Sequence, residues 1–366
     1  MLEFLLLTFA GIHFALPLVY FLYVRARWLN KPWNVGVDES YRPKVTIIVP
    51  TYNEAELIQK RLDNIYHQDY PKELMEVIVV DSGSNDGTSK LVEEWATQHP
   101  KYDIKIIREE VRRGKLHALN TVFKKVHLTG EVVMFTDADC FWEANALKNI
   151  VGYFADAEVG SVTGSIFYEG EIGMCENSYR NFYNKLRIAE SKRHSTPVHN
   201  GPLLAIRTVL LRKFGLPNFP GSDDSAFGSF IAFSGHRAIQ IDNAIVKEPM
   251  RGSKFRRKIR RAQHLLLSFL KTKGYVKKMG LYVKSPFEKI WRIEWYLHVI
   301  NPWFLVVAGV FLVFGVLCGS FMALFLLGLG LAFLAFKPYR IWLLQQIYLI
   351  LAAIRNLWTK DIMWNK

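Results

Sequence analysis

The sequence predicts an α/β domain, a mostly parallel sheet with helices on both faces, combined with transmembrane helices. Three observations predict it. Short β-branched runs alternate with helix-patterned runs from about residue 42. Polar and acidic residues cluster where those runs end. Long stretches without charge lie toward both ends of the chain.

The alternation can be followed element by element. KVTIIV at 44–49 reads as a first strand, and Glu56 to Tyr66 has helical spacing, with Leu57, Leu62 and Ile65 apolar. EVIVV at 76–80 is a second strand, followed by a helix from Thr88 to His99 that the turn at 84–88 caps. IKII at 104–107 is a third strand, Leu116 to Val126 a third helix and EVVMF at 131–135 a fourth strand. Strands and helices alternating at this spacing build a parallel sheet covered on both faces. In open sheets of this kind ligands bind beyond the carboxyl ends of the strands.

The apolar segments set the chain on a membrane. Residues 2–23 hold one charge, Glu3, and no basic residue precedes them, so they read as a retained span over 1–24 and not a cleaved leader. Arg25, Arg27 and Lys31 follow, and positive flanks stay cytoplasmic. The block 299–336 contains no charge until Lys337 and would be about 57 Å long as one helix, which favours two spans turning near Cys318, Gly319 and Ser320. Residues 341–358 carry Gln345, Gln346 and Arg355 among large apolar residues, and suit an interfacial helix or a further span. Residues 266–298 end in a stretch with Trp291, Trp295 and Tyr296 beside Lys284, Lys289 and Arg292, the composition of a headgroup-layer helix. A multi-pass protein of the cell membrane with a cytoplasmic domain over 42–265 follows.

Composition narrows the chemistry. The net charge of +14 points to an anionic partner, and three scattered cysteines exclude a disulfide scaffold or zinc cluster. Half of the 366 residues are hydrophobic, which excludes a disordered chain. No GxGxxG follows the first strand, and GxxxxGK[ST] and HExxH are absent, against a dinucleotide dehydrogenase, a P-loop NTPase and a zinc protease. The spans are too few and too apolar for a transporter. The basic run RGSKFRRKIRR at 251–261 has Phe255 as its one aromatic, so it lacks the stacking platform of a nucleic-acid surface, and no nucleic-acid partner is expected. Contact with membrane lipid headgroups suits it better.

The sharpest feature is Asp137-Ala138-Asp139, directly after the fourth strand. Two carboxylates held together need a cation, and oxygen ligands beside a substrate phosphate suit Mg²⁺ or Mn²⁺.

Taken together, VTIIVPTYNE, VIVVDSGSNDGT, RGKLHALN and VVMFTDADC resemble the glycosyltransferase family 2 domain, which has the GT-A nucleotide-sugar fold. The resemblance covers about 42–265. It implies inverting transfer of a sugar from a nucleotide sugar, expected to be a UDP sugar, on the cytoplasmic face. By that resemblance Pro50, Thr51, Tyr52, Asn53 and Glu54 line the base and ribose pocket, Asp81 contacts the base and Lys115 reaches the nucleotide. Asp137 and Asp139 form the metal motif, with Asp139 the direct ligand. Asp224 is the catalytic base, with Asp223 its neighbour on the acceptor side, and Gly201 and Pro202 floor the acceptor pocket. Where many membrane-bound relatives carry QxxRW, this chain has Arg257, Arg260 and Arg261; Arg257 and Arg260 are expected on the diphosphate, and the loss of Gln and Trp argues against a processive synthase. A carboxylate base suits a hydroxyl acceptor, on a lipid or lipid-linked saccharide. Transfer to a polyprenyl or dolichyl phosphate and processive polysaccharide synthesis are the alternatives.

Overall fold

The computed structural model describes residues 2–168, 171–219, 224–249 and 254–359. The chain opens with α1 (Leu2–Val24), continued by one π-helical turn at Arg25–Leu29. The α/β domain then runs β1 (Val45–Thr51), α2 (Ile58–Tyr66), β2 (Met75–Asp81), α3 (Thr88–Gln98), β3 (Asp103–Arg108), α4 (Lys115–Lys125) and β4 (Val132–Phe135). Its second half comprises β5 (Phe141–Trp142), α5 (Ala146–Val151), β6 (Val159–Tyr168), α6 (Glu171–Arg193), β7 (Leu204–Arg207), α7 (Thr208–Phe214), α8 (Asp224–Phe233) and β8 (Arg237–Glu248). Last come α9 (Lys254–Lys278), α10 (Phe287–Trp295), α11 (Asn301–Leu317), α12 (Phe321–Phe333) and α13 (Lys337–Arg355).

All eight strands join one sheet in the order β3-β2-β1-β4-β7-β6-β8-β5. The first four are parallel, as the alternation predicts. β7 then runs antiparallel to both β4 and β6, so the sheet is mixed beyond that point. Successive side chains of β1 leave on opposite faces, the period-two rule for strands. Ile47 and Val49 pack with α2, α3 and α5, while Ile48 joins the cluster built with α4, α8 and α9. The sheet is therefore covered on both sides, as expected for an α/β layer fold.

Several boundaries differ from the sequence reading. β1 continues through Pro50 and Thr51, and β2 takes in Asp81, because β1 stays in register with β2 as far as the Thr51–Asp81 pair. The α3 start is held by Asp86, whose carboxylate accepts from the Thr88 backbone N–H at 3.0 Å. The basic run becomes the first turns of α9, although residues 251–253 lie outside the described residues. That helix continues to Lys278, so a domain boundary at 265 falls in its interior. The expected interfacial helix ending at 298 is no separate element. Residues Phe287–Leu317 form one long helix through a π-turn, and its first part is buried, with Phe287 and Trp291 against Phe233.

Among the described residues two helices, Glu3–Leu29 and Phe287–Leu317, are long and apolar enough to cross a membrane, and the bent pair Phe321–Phe333 and Lys337–Arg355 makes a third if the two count as one broken span. α12 has 13 residues, about 20 Å of helix against about 30 Å of hydrocarbon, and is bent by 105° from α13. The expected hairpin of two full spans over 299–336 is therefore one long helix plus a short one.

α1 and α11 run antiparallel. His13 Nδ1 lies 2.8 Å from the Asn301 carbonyl oxygen, and Asn301 Nδ2 donates to the His13 carbonyl at 3.1 Å. At the far end Ser320 Oγ donates to Glu3. At the domain end Tyr20 donates to Glu190 at 2.7 Å, and Lys192 donates to the Leu29 carbonyl at 2.7 Å. Burial pushes the Glu190 carboxyl up to about 7, partly offset by the Tyr20 and Thr196 hydroxyls. The 318–320 turn and the α/β domain thus occupy opposite ends of the helix pair. With both helices in a bilayer, exposed Cys318 and the domain face opposite compartments. In sealed vesicles of a Cys175→Ser variant, a membrane-impermeant maleimide is expected to label Cys318 from one side and trypsin to reach the domain only from the other. Labelling and cleavage from the same side would refute this arrangement.

Candidate active site

The site lies at the carboxyl ends of β1, β2 and β4, where the parallel half of the sheet gives way to the mixed half. The turns after β1 and β2 are laced together. Asn53, with φ of 52°, donates its N–H to Ser84 Oγ at 2.8 Å and accepts from the Asn85 N–H at 3.0 Å. The Glu54 N–H donates to Thr88 Oγ1 at 2.9 Å. Asp81 accepts from the Ser84 N–H at 3.0 Å and also from Ser89 Oγ. The Arg112 guanidinium lies 4.0 Å over the Tyr52 ring, and Thr51 Oγ1 is buried without a hydrogen-bond partner. A flat, cation-backed ring beside an unpaired hydroxyl is a surface on which a planar base and its sugar can rest.

Next to this lies a cleft of about 260 Å³. Of the residues singled out in the sequence, Lys115, Asp137, Gly201, Pro202, Asp224, Arg260 and Arg261 line it. Pro50 to Glu54, Asp81, Asp139 and Arg257 do not line it. Asp139 is half-buried two residues beyond Asp137. Arg257 acts at a distance, as one of the cations that hold the Glu248 carboxyl below its ordinary value against the cost of burial. Gly221 and Asp223 lie outside the described residues.

Lys115 is the centre of the cleft floor. It is the first residue of α4, reached through Gly114 at φ of 94°, a left-handed turn that glycine adopts without strain. Its ammonium is 2.9 Å from Asp137 Oδ1 and 3.4 Å from Asp224 Oδ1. Burial would pull the lysine down, but the two carboxylates outweigh it and hold it above its ordinary value. Asp224 moves up, driven first by burial, opposed by Lys115 and reinforced by Asp137. A carboxylate raised in this way is a better proton acceptor than an exposed one.

The acidic turn and the acceptor floor form one hydrogen-bonded unit. Arg61, fully buried behind the turn, donates to Thr136 Oγ1 at 2.6 Å and stacks 4.3 Å from the Trp142 ring. Thr136 Oγ1 donates to the Pro202 carbonyl at 2.8 Å, as does Trp142 Nε1 at 2.8 Å. Sequence reasoning missed Arg61, since nothing in an α2 helix face announces a partner 75 residues away. It also missed Arg180, Arg187 and His199, which complete the cleft wall together with Arg113 of the RGK motif and Arg261, the residue standing where many relatives carry Trp. His199 presents a buried Nε2 without a hydrogen-bond partner, and burial pulls its pKa down to about 3, so the ring is neutral.

Gly201 is where the floor meets the acid. A Cβ built there would stand 1.9 Å from Asp224 Oδ2, so no side chain fits unless the carboxylate leaves. Gly201→Ala is expected to lower the Tm of the detergent-solubilised protein by several degrees, in line with about 1–3 kcal/mol for overpacking. Gly274→Ala, with nothing within 4 Å of its Cβ, is expected to leave Tm unchanged or raised. Equal Tm values for the two variants would contradict this packing.

Comparison with known proteins fits the geometry. The model of "Glycosyl transferase family 2" matches residues 46–215. A solved mannosyltransferase, PcManGT from Pyrobaculum calidifontis, in complex with GDP-Man and Mn²⁺, is 44% identical, covers 99% of this chain and 100% of its own, and superposes with a TM-score of 0.87. The glycosyltransferase AglE of Haloferax volcanii is 34% identical over 42% of this chain and 49% of its own length. A poly-beta-1,6-N-acetyl-D-glucosamine synthase of Staphylococcus epidermidis is 28% identical over 43% of this chain and 37% of its own. The chain thus spans about half or less of the length of these curated relatives. The fold is the mixed α/β sheet of the GT-A class, and the chain belongs to glycosyl transferase family 2.

Proposed function

We propose that the protein transfers a mannosyl group from GDP-mannose, with a divalent metal and inversion at the anomeric carbon, to a hydroxyl of a lipid-linked saccharide at the cytoplasmic face of the membrane. The observation that carries this reading is the Lys115 ammonium held between Asp137 and Asp224 on the floor of one cleft. The full-length likeness to a protein solved with GDP-Man favours a guanosine donor over the UDP sugar expected from sequence.

The donor set suits a metal shared with substrate. Among the described residues no cluster of three or more His, Cys, Asp or Glu side chains forms an all-protein cage. Two carboxylates at one turn leave coordination positions for phosphate oxygens, the manner in which Mg²⁺ and Mn²⁺ are shared with nucleotides. Asp137 and Asp139 would hold the ion, which supplies positive charge against the diphosphate.

The chain's own groups do the rest. Tyr52 with Arg112 gives the base a platform. Lys115 and Arg260 face the cleft as cations where the departing diphosphate gathers negative charge. Asp224, raised by burial, takes the proton of the incoming hydroxyl as the new glycosidic bond forms on the face opposite the leaving group. The Pro202 carbonyl, fixed by Thr136 and Trp142, keeps the acceptor floor from drifting away from that base. Placement of α1 and α11 across the membrane keeps the cleft beside the acceptor's lipid.

Donor turnover, two substitutions and product length test the reading. Purified full-length protein with a native lipid extract is expected to turn over GDP-mannose and not UDP-glucose or UDP-N-acetylglucosamine, and a chelator is expected to stop it. Asp139→Ala is expected to abolish the metal-dependent part of GDP binding, and undiminished GDP affinity in Mn²⁺ would remove Asp139 as a ligand. Asp224→Asn is expected to lose about 10²–10⁴-fold in kcat with GDP affinity near normal. A mild loss would assign an acceptor that is already anionic at its nucleophile, such as a polyprenyl phosphate. Long products from a single binding event would restore the processive alternative suggested by the Staphylococcus relative.

A further inference from the structure

The cleft carries more positive charge than the donor calls for. Among the described residues, six cationic side chains line it, Arg113, Lys115, Arg180, Arg187, Arg260 and Arg261, against two carboxylates. A nucleoside diphosphate sugar with one divalent ion is close to neutral at its diphosphate, so the donor does not account for the excess. The cations also sort by position. Lys115 belongs to the floor with Asp137 and Asp224, whereas Arg180 and Arg187 stand about two helical turns apart on one face of α6, and Arg261 faces them from α9.

This second group is built in place. Arg261 pairs with buried Glu248 at 2.5 Å and donates to Tyr168 Oη at 3.2 Å. Arg180 lies 4.6 Å over the Tyr168 ring, donates to the same hydroxyl, and stands 3.9 Å from Glu248. Arg187 donates to Asn200 Oδ1 at 3.2 Å, next to the acceptor floor. Arg180 and Arg261 share the Glu248 carboxylate, Arg187 is held by Asn200, and all three guanidiniums line the cleft.

The same two helices turn their other faces to the membrane segments. On α6, Leu186 and Ala189 pack with Tyr20, Phe21 and Val24 of α1. On α9, Ile259 and Leu266 pack with Tyr348, Leu349 and Ala352 of α13. The guanidinium wall therefore stands between the catalytic floor and the apolar helices, where a lipid's head meets its tail.

We propose that Arg180, Arg187 and Arg261 form an acceptor subsite for the phosphate or diphosphate that joins a saccharide to its lipid. Guanidinium forks match phosphate oxygens in geometry as well as charge. Tyr168 and Glu248 set the fork directions, and the anion's lipid chain leaves along α1 and α13. The subsite rests on the glycosyltransferase reading and gives its acceptor a charge.

The test uses the full-length protein in neutral detergent, saturated with GDP and Mn²⁺ so that the donor site is filled. Farnesyl diphosphate, farnesol and inorganic diphosphate are titrated separately. Farnesyl diphosphate is expected to bind at least about 10-fold tighter than either of the others. Arg187→Gln is expected to weaken it roughly 10- to 100-fold, the range for a charge-assisted contact, with GDP affinity unchanged. Because Arg261→Gln alone strands buried Glu248, the double variant Arg261→Gln/Glu248→Gln replaces that ion pair by two neutral amides, removes one guanidinium fork and leaves Arg180 and Arg187 in place, and is expected to weaken farnesyl diphosphate by a similar factor. Equal binding of farnesol, inorganic diphosphate as tight as the farnesyl ester, or indifference of both variants would overturn the subsite. A protein that binds neither GDP nor UDP would overturn the glycosyltransferase reading itself, an outcome that the GDP saturation step detects before any lipid is added.

Discussion

Lys115 is the constraint on which the site depends. Asp137 and Asp224 come from elements 87 residues apart in the chain, and both face one partly dehydrated cleft. Two carboxylates in such a place repel each other unless a cation stands between them. The ammonium does so, at 2.9 and 3.4 Å, and it can be there only because Gly114 turns the chain to start α4 at that spot. The same cation opposes the burial that lifts Asp224. Two acidic side chains on one cleft floor are thus balanced by one cation.

The acidic turn is held from behind by a second buried cation. Burial lowers the pKa of Arg61, and the negative charges of Asp137 and Asp139 are among the influences that oppose it. Through Thr136 this arginine connects the turn after β4 to the Pro202 carbonyl, and so to Gly201 and Asp224. Donor side and acceptor side are therefore parts of one rigid unit, and a shift in either moves both. Catalytic groups need this kind of support, since small misplacements cost large factors in rate.

The parallel half of the sheet was legible because its strands are short, β-branched runs separated by helices, and β1 to β4 lie where the pattern puts them. The second half was not. β6 to β8 carry buried polar residues such as Ser161, Thr163, Ser165 and Gln240, which break the apolar signature while making hydrogen bonds across the sheet. Their antiparallel neighbours come from distant parts of the chain, so no local spacing announces them. Of the site, the acidic motifs and Lys115 were legible through the family pattern. Of the arginine wall only Arg261 was legible, as the residue in place of the Trp of QxxRW; Arg180 and Arg187 belong to no motif and meet it only through Tyr168, Glu248 and Asn200 in the folded chain.

The departure from the QxxRW pattern then takes on a physical meaning. An indole at residue 261 would offer a flat apolar face and a single N–H donor. The guanidinium found there instead needs a counter-charge, and the chain provides one in Glu248, whose burial is tolerable only because Arg261 and Arg180 sit beside it. The exchange is coupled: the arginine requires the glutamate, the glutamate requires an anchor at the end of β8, and β8 carries it to the mouth of the cleft beside Tyr168. A surface for stacking a neutral ring becomes a surface for seating an anion.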